Sequence, residues 1–342
     1  MTIARVAVAF CIVSAVCFGA VDGTVTNGTS NKPQPAVIVT MVQPGAGGMQ
    51  TLATVKSDAG GKFHIDKEGQ PGAPVLLQAI YQGVLYTHMV PPGMPTNSVG
   101  LTVYDASSNA GAAPMEQHMV LLQPTASDLS VGETFLFHNA SSVTYNDPAN
   151  GTLRVYLPDG VESDKVAVTV TPPGGMPIQR SADKTKLKNV YKVDYPIQPG
   201  ETRFDLSYTL PAESPLVYSG KTVMQGGPTR LVVPKGVSVT GDNLTSLGTE
   251  PTTQAGIFEV KGDTFKVELQ GTGTLQSAQA GSEDDSGPGI QEILPKLYDR
   301  EYWVIGLALG ILALGFTLLY RKSSSVEAAA PPPANKSRKK RA

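Results

Sequence analysis

Cysteine is almost missing from this chain: Cys11 and Cys17 are its only two, and both fall in the first twenty residues. With that segment set aside, a disulfide framework, a four-cysteine zinc site, a c-type haem attachment and a thiol nucleophile are all excluded. Histidine is nearly as scarce. His64, His88, His118 and His138 include no pair at i, i+4 spacing and no His-Glu-x-x-His, so zinc-peptidase chemistry of that class has no support. No Gly-x-Ser-x-Gly elbow and no Gly-x-x-x-x-Gly-Lys-Ser/Thr phosphate loop occurs. Sustained 3.6-residue periodicity is absent as well, and tryptophan occurs once, at Trp303. A formal net charge of −2 offers the whole chain no excess to draw in nucleic acid, and no nucleic-acid partner is expected. These absences predict a non-catalytic protein, with no catalytic residue, cofactor or metal ligand to assign.

What the chain does have is 36 glycines and 27 prolines in 342 residues, the composition of short strands joined by turns. Its two ends stand apart. Residues 1–20 carry one basic residue, Arg5, then an uncharged run from Val6 to Phe18, the pattern of a secretory signal peptide. The competing reading makes Cys17 a lipidated residue, but Val16 stands where a small residue is expected before it. Residues 302–320 contain no charge over nineteen positions, enough helix to cross a hydrocarbon core of about 30 Å. Tyr302 and Trp303 mark one boundary of this expected transmembrane helix and Tyr320 the other, and Arg321 and Lys322 follow at once. Gly306 and Gly310 give the Gly-x-x-x-Gly spacing that allows close helix approach.

Seven basic residues and one acid lie in the tail, residues 321–342. The positive-inside rule therefore places the tail in the cytoplasm and the amino-terminal domains outside, in the periplasm or extracellular space of a single-pass cell-membrane protein. Without Arg5 and the tail, nineteen basic side chains face twenty-eight acidic ones, so the near-neutral total conceals an acidic outer part and a basic tail.

Between the ends the expectation is mainly β, as two tandem β-sandwich domains at 21–105 and 116–270, the second Ig-like, followed by a polar stalk at 271–301. Val21–Val25, Ala36–Val42, Leu52–Ser57, Lys62–Ile65, Val75–Tyr81, Val84–Met89 and Val99–Val103 read as the strands of the first domain. Asp58-Ala-Gly-Gly61 is a turn sequence predicted to join Leu52–Ser57 and Lys62–Ile65 as a hairpin, and Gln82-Gly83 to close the next one. Ala106–Met115 has the composition of a linker. In the second domain ten strands run from Met119–Leu122 to Phe265–Leu269. There Val131-Gly-Glu-Thr-Phe135 and Pro199-Gly-Glu-Thr-Arg-Phe204 echo each other, each read as a Gly-Glu turn ahead of an alternating strand.

Gly23-Thr-Val-Thr-Asn-Gly-Thr29, Ala36-Val-Ile-Val-Thr40 and Thr54-Val-Lys-Ser-Asp-Ala-Gly-Gly-Lys-Phe63 together resemble the carboxypeptidase regulatory-like domain. The match covers about Ala20 to Asp105, a quarter of the chain. It implies a small transthyretin-like or carbohydrate-binding-like sandwich, of the kind borne by bacterial membrane-anchored envelope proteins. Nothing in the chain resembles the peptidase domain to which such modules are attached.

The remaining candidates each have a plainer alternative. His118 and His138 could meet across neighbouring strands, but a lone strand histidine is more often simply packed. Glu283-Asp-Asp285 has too few oxygens for calcium and reads as solvated stalk. Asn27, Asn139, Asn150 and Asn243 each begin a glycosylation tripeptide, which serves a turn equally well. Tyr81, Tyr86 and Tyr104 are the aromatics of the first domain that a sugar would stack on, against edge packing as the alternative. The function expected is a membrane-anchored envelope binding or scaffold protein with a protein partner. The alternatives are a carbohydrate-binding protein and an accessory subunit of an envelope hydrolase.

Overall fold

The computed structural model describes residues 21–45, 47–70 and 72–275, and the chain there is mainly β. Apolar and polar residues alternate along the strands, which gives each sheet one face to bury. The first eight strands are β1 (Val21–Asn27), β2 (Lys32–Pro33), β3 (Ile38–Gly45), β4 (Gly48–Lys56), β5 (Lys62–Ile65), β6 (Val75–Tyr81), β7 (Val84–Val90) and β8 (Val99–Val103). β1 pairs antiparallel with β5 and β2 and parallel with β8. The other sheet has the order β4-β3-β6-β7. The two enclose one core, with Val25, Val39, Met41, Leu77, Ala79 and Val103 all at 0% exposure.

Gln82 and Gly83 both adopt positive φ between β6 and β7 and close the expected hairpin, with Tyr81 opposite Val84. The hairpin expected from Asp58-Ala-Gly-Gly61 does not form. β4 pairs with β3 and β5 with β1, so this turn is a corner that carries the chain from one sheet to the other. Asp58 Oδ1 fixes the corner by accepting from Gly60 N and Lys62 N, each at 2.8 Å. Gly61 sits at φ +74°, where a Cβ would come 2.6 Å from Val25 O.

After β9 (Ala106–Ser107), whose Ala106 packs against the first core, the second core is built from β10 (Met115–Pro124), β11 (Asp128–Asn139), β12 (Thr144–Tyr145), β13 (Leu153–Tyr156), β14 (Ala167–Thr171), β15 (Ile178–Arg180) and β16 (Asp183–Lys184). It continues through β17 (Val190–Val193), β18 (Gly200–Pro211), β19 (Leu216–Lys221), β20 (Thr229–Val233), β21 (Ser238–Thr240), β22 (Leu244–Thr249), β23 (Gly256–Val260) and β24 (Thr264–Gln270). An eight-stranded sheet runs β15-β14-β18-β11-β10-β20-β23-β22. Two three-stranded sheets, β13-β17-β16 and β19-β24-β21, contribute to the same core, where Phe137, Leu153, Phe204, Tyr218 and Val267 meet.

Two local readings change here. The stretch with linker composition is structured: β9, a 3-10 turn at Ala110–Ala112 capped by Asn109, and the start of β10. The echoing Gly-Glu motifs are also not equivalent. Gly200-Glu201 opens β18, but Gly132-Glu133 lies in the middle of β11, with Glu133 on the core side between Val131 and Phe135. The two strands that carry the motifs are paired antiparallel along their whole length. The expected signal peptide, transmembrane helix and tail lie outside the described residues, as does the expected stalk beyond residue 275. The first stalk residues are tied to the end of β10, Gly273 N donating to Pro124 O at 3.0 Å and Leu275 N to Gln123 Oε1 at 2.8 Å.

Candidate functional site

Three features combine polar chemistry with a defined place in the fold. The first is the joint between the two cores. β9 and β12 pair in parallel, Ala106 with Thr144 and Ser107 with Tyr145. Tyr86, 3% exposed on β7, donates to Tyr104 O at 2.8 Å and meets Thr144 Oγ1 at 2.9 Å. Thr29 Oγ1 donates to Ser142 O and accepts from Asp105 N at 2.9 Å. Gln198 Nε2 donates to Leu85 O at 3.2 Å.

Asp105 organises this region: its Oδ1 accepts from Asn27 Nδ2 at 2.8 Å and from Tyr81 OH at 2.9 Å. Desolvation, then the Asp105 carboxylate, raises the Tyr81 phenol above its ordinary pKa, and burial raises Tyr86. Both hydroxyls therefore stay neutral donors. Two of the three tyrosines considered for sugar stacking are spent on the joint, and the third, Tyr104, packs at 6.1 Å between ring centroids against Tyr86.

The second feature is a polar chain inside the second core. His118 on β10 and Glu133 on β11 are 2% and 5% exposed. His118 Nε2 bonds Glu133 Oε2 at 3.0 Å, and its ring stacks on Phe135 with centroids 4.1 Å apart. Glu133 Oε1 accepts from Tyr208 OH at 2.7 Å, which meets Tyr218 OH at 3.0 Å from the facing sheet. At the other end His118 Nδ1 meets Thr229 Oγ1 at 3.3 Å, and Thr222 Oγ1 lies 3.1 Å beyond. Burial and the Glu133 charge hold both tyrosines well above the ordinary phenol range. Every hydrogen-bonding group named here has a partner, so the network ties the eight-stranded sheet to its neighbour rather than offering a free base.

His138 plays no part in that network. It is exposed on β11, opposite Glu201, so the possible His118–His138 pair is not formed. His64, exposed on β5, lies between Asp22 and Asp66 at 2.6 Å from each. His88 is exposed on β7.

The third feature is a cleft of about 600 Å³ beside the β13-β17-β16 sheet, with Arg154, Lys184, Lys186 and Lys192 among its lining residues. Register puts Arg154 opposite Lys192 on adjacent strands. Composition hid this cleft, because its cations come from separate strands of a net-acidic region. The run Lys184-Thr-Lys-Leu-Lys188 was the only local sign.

The anchor residues Tyr302, Trp303, Gly306, Gly310, Tyr320, Arg321 and Lys322 lie outside the described residues. Among the described residues no helix is long and apolar enough to cross a membrane.

No family model and no curated protein matches the chain. Among solved structures, a mutant M1 zinc metallopeptidase from Deinococcus radiodurans, bound to a Tyr-Ser-Ala substrate, is similar at 14% identity and a TM-score of 0.24. That likeness covers 46% of this chain and 42% of the peptidase chain, and it is too slight to bear on fold or activity.

Proposed function

We propose that this is a non-catalytic, membrane-anchored envelope protein whose two outer β-sandwiches, the first transthyretin-like and the second Ig-like, act as one rigid binding or scaffold unit. The observation that carries the reading is the joint. Parallel β9–β12 pairing and the Tyr86–Thr144 contact hold the two cores together where a flexible tether would let them move apart. A rigid pair presents loops and sheet edges at a fixed spacing, which lowers the ordering cost of engaging a large partner.

Two details favour the carboxypeptidase regulatory-like reading of the first sandwich. Asp58 caps the Asp-x-x-Gly turn, and the opening Gly23 lies under the Phe63 ring of the same motif. Orientation rests on the sequence alone: an uncharged nineteen-residue stretch with a basic tail after it.

The test uses the full-length chain with a tag at its carboxyl end, expressed in a bacterial envelope. Protease added to intact spheroplasts should remove the β region and leave the tagged span and tail. Crosslinking in place should then recover one protein at fixed stoichiometry, and Tyr86→Ala should reduce that recovery without displacing the chain from the membrane. A β region shielded from protease overturns the placement. Partner recovery that ignores the joint overturns the rigid-unit reading, and retention of the chain on a neutral polysaccharide favours the carbohydrate alternative.

A further inference from the structure

The cleft beside β13, β17 and β16 gathers four cations in a region where acids are in excess. Between residues 21 and 275, seventeen Lys and Arg stand against twenty-two Asp and Glu. None of the four has a carboxylate within salt-bridge distance among the described residues. Of the nearby acids, Asp183 stands opposite Lys192 in register and Asp147 feels the Arg154 charge, so they offset part of the positive charge without forming an ion pair with it. Asp147 takes the amide of Asn150 at 2.9 Å, Asp159 takes Lys188 at 3.4 Å, and Asp183 takes Ser181 Oγ at 3.1 Å.

Two arrangements point toward a ligand. Arg154 and Lys192 face each other across β13 and β17, and like charges directly opposite on neighbouring strands oppose sheet formation. Lys192 is also fixed in place: its Nζ donates to Pro148 O at 2.8 Å and Ala149 O at 3.1 Å, which braces the ammonium beside the cleft. Lys184 and Lys186 are exposed, and Leu187 between them and Lys188 is 62% exposed, giving the cleft one apolar contact.

We propose that this cleft binds a multivalent oxyanion, a ligand carrying two or more phosphate or carboxylate groups along a short polar backbone. Arg154 supplies a fork suited to one oxyanion, and the lysines supply point charges for the next. Asn150 and Thr185, also in the lining, have their donors spent within the protein, Asn150 Nδ2 on Asp147 and Thr185 Oγ1 on Val190 O, so the charges carry the recognition. The inference rests on the non-catalytic binding reading and adds a ligand class to it.

The experiment uses the full-length chain in detergent. The basic cluster at the end of its tail is removed in every sample by K336Q, R338Q, K339Q, K340Q and R341Q, so that this cluster cannot supply the signal. Tripolyphosphate and trigalacturonate are titrated by calorimetry, with maltotriose as the uncharged control. One or both anions should bind, more weakly as salt rises, and maltotriose should not. K184Q/K186Q should weaken binding about tenfold, as expected from two partly screened charges.

K261Q/K266Q, two lysines away from this cleft, should change affinity by less than about twofold. Which anion binds more tightly separates phosphate from carboxylate as the natural chemistry. No binding of either anion at about 1 mM overturns the proposal, and so does an equal loss in both double variants. Because K184Q/K186Q leaves the joint untouched, loss of anion binding with crosslinked partner recovery intact separates this site from the scaffold reading. Failure of both anions with recovery intact sinks the site alone.

Discussion

At the scale of single residues, neighbours matter more than residue type. His64 is solvent-exposed, yet Asp22 and Asp66 bond its two ring nitrogens and raise its pKa above the ordinary value, the Asp22 hydrogen bond being the largest single cause. A group whose folded pKa is raised contributes stability that is complete below the unfolded value of about 6.5 and is lost as pH climbs through the folded one. An NMR titration of the His64 ring should therefore give a midpoint above about 6.5, with Asp22→Asn and Asp66→Asn each lowering it. A midpoint at or below the free-histidine value would remove the ion pairs from the account.

The four glycosylation tripeptides divide on the same principle. Asn27 and Asn139 are 3% and 2% exposed, and both ends of each amide are used. Asn139 Nδ2 donates to Val143 O at 2.7 Å and Ile197 O at 3.0 Å, while its Oδ1 accepts from Ser141 N at 3.0 Å. Asn243 is exposed, with one 3.3 Å bond to Thr264 O. Asn139→Ala should cost about 1–3 kcal/mol in urea unfolding, because it leaves the buried Ile197 carbonyl and the half-buried Val143 carbonyl without that donor. Asn243→Ala should stay within about 0.5 kcal/mol. Equal effects would mean that burial does not separate them.

At the scale of elements, the strands with strict alternation or aliphatic runs were legible. Lys62–Ile65, Val75–Tyr81 and Val99–Val103 have the observed bounds of β5, β6 and β8. Leu216–Lys221 and Leu244–Thr249 were not foreseen, since a strand with serine, threonine and glycine inside it looks like loop until a partner pairs with it. The Asp58–Gly61 turn shows a different limit. Turn chemistry fixes a reversal of direction, but which sheet takes the returning strand depends on β1, thirty-odd residues earlier.

Glu133 was hidden because its partners His118 and Tyr208 lie on flanking strands, and the basic cleft because Arg154 and Lys192 meet only through register. One element-scale prediction follows from Gly23. It pairs with Phe63 across β1 and β5, and a Cβ there would lie 2.2 Å from the ring's Cζ. Gly23→Val should destabilise the first core by more than about 2 kcal/mol through overpacking. Phe63→Ala in the same chain should recover part of that loss, giving a coupling energy of about 1 kcal/mol or more in a double-mutant cycle. Strictly additive losses would show that the ring and the glycine do not constrain each other.

At the scale of the whole molecule, the question is whether two cores joined in this way unfold as one. The joint's side chains belong to both sides. Tyr86 is part of the first core and bonds Thr144 of β12, and Tyr145, the next residue, is part of the second core. Asp105 and Ala106 link the two through Thr29, Tyr81 and Gln82, with Gln82 Oε1 accepting from Ala106 N at 2.7 Å.

Unfolding the first core alone would strand Thr144, which is 0% exposed, and release the β9–β12 pairing, so each core stabilises the other by the free energy of these contacts. Val39→Ala, a cavity at a 0%-exposed site far in sequence from the second core, should then lower the melting temperature of both cores, not of the first alone. Adding Tyr86→Phe should split the thermogram, because that variant keeps the ring in its packing while removing the hydroxyl that reaches Thr144. Calorimetry of the full chain in detergent reads both effects. If Val39→Ala moves one transition and leaves the second-core transition in place with Tyr86 intact, the joint transmits nothing, and the two sandwiches are neighbours on a string rather than one binding unit.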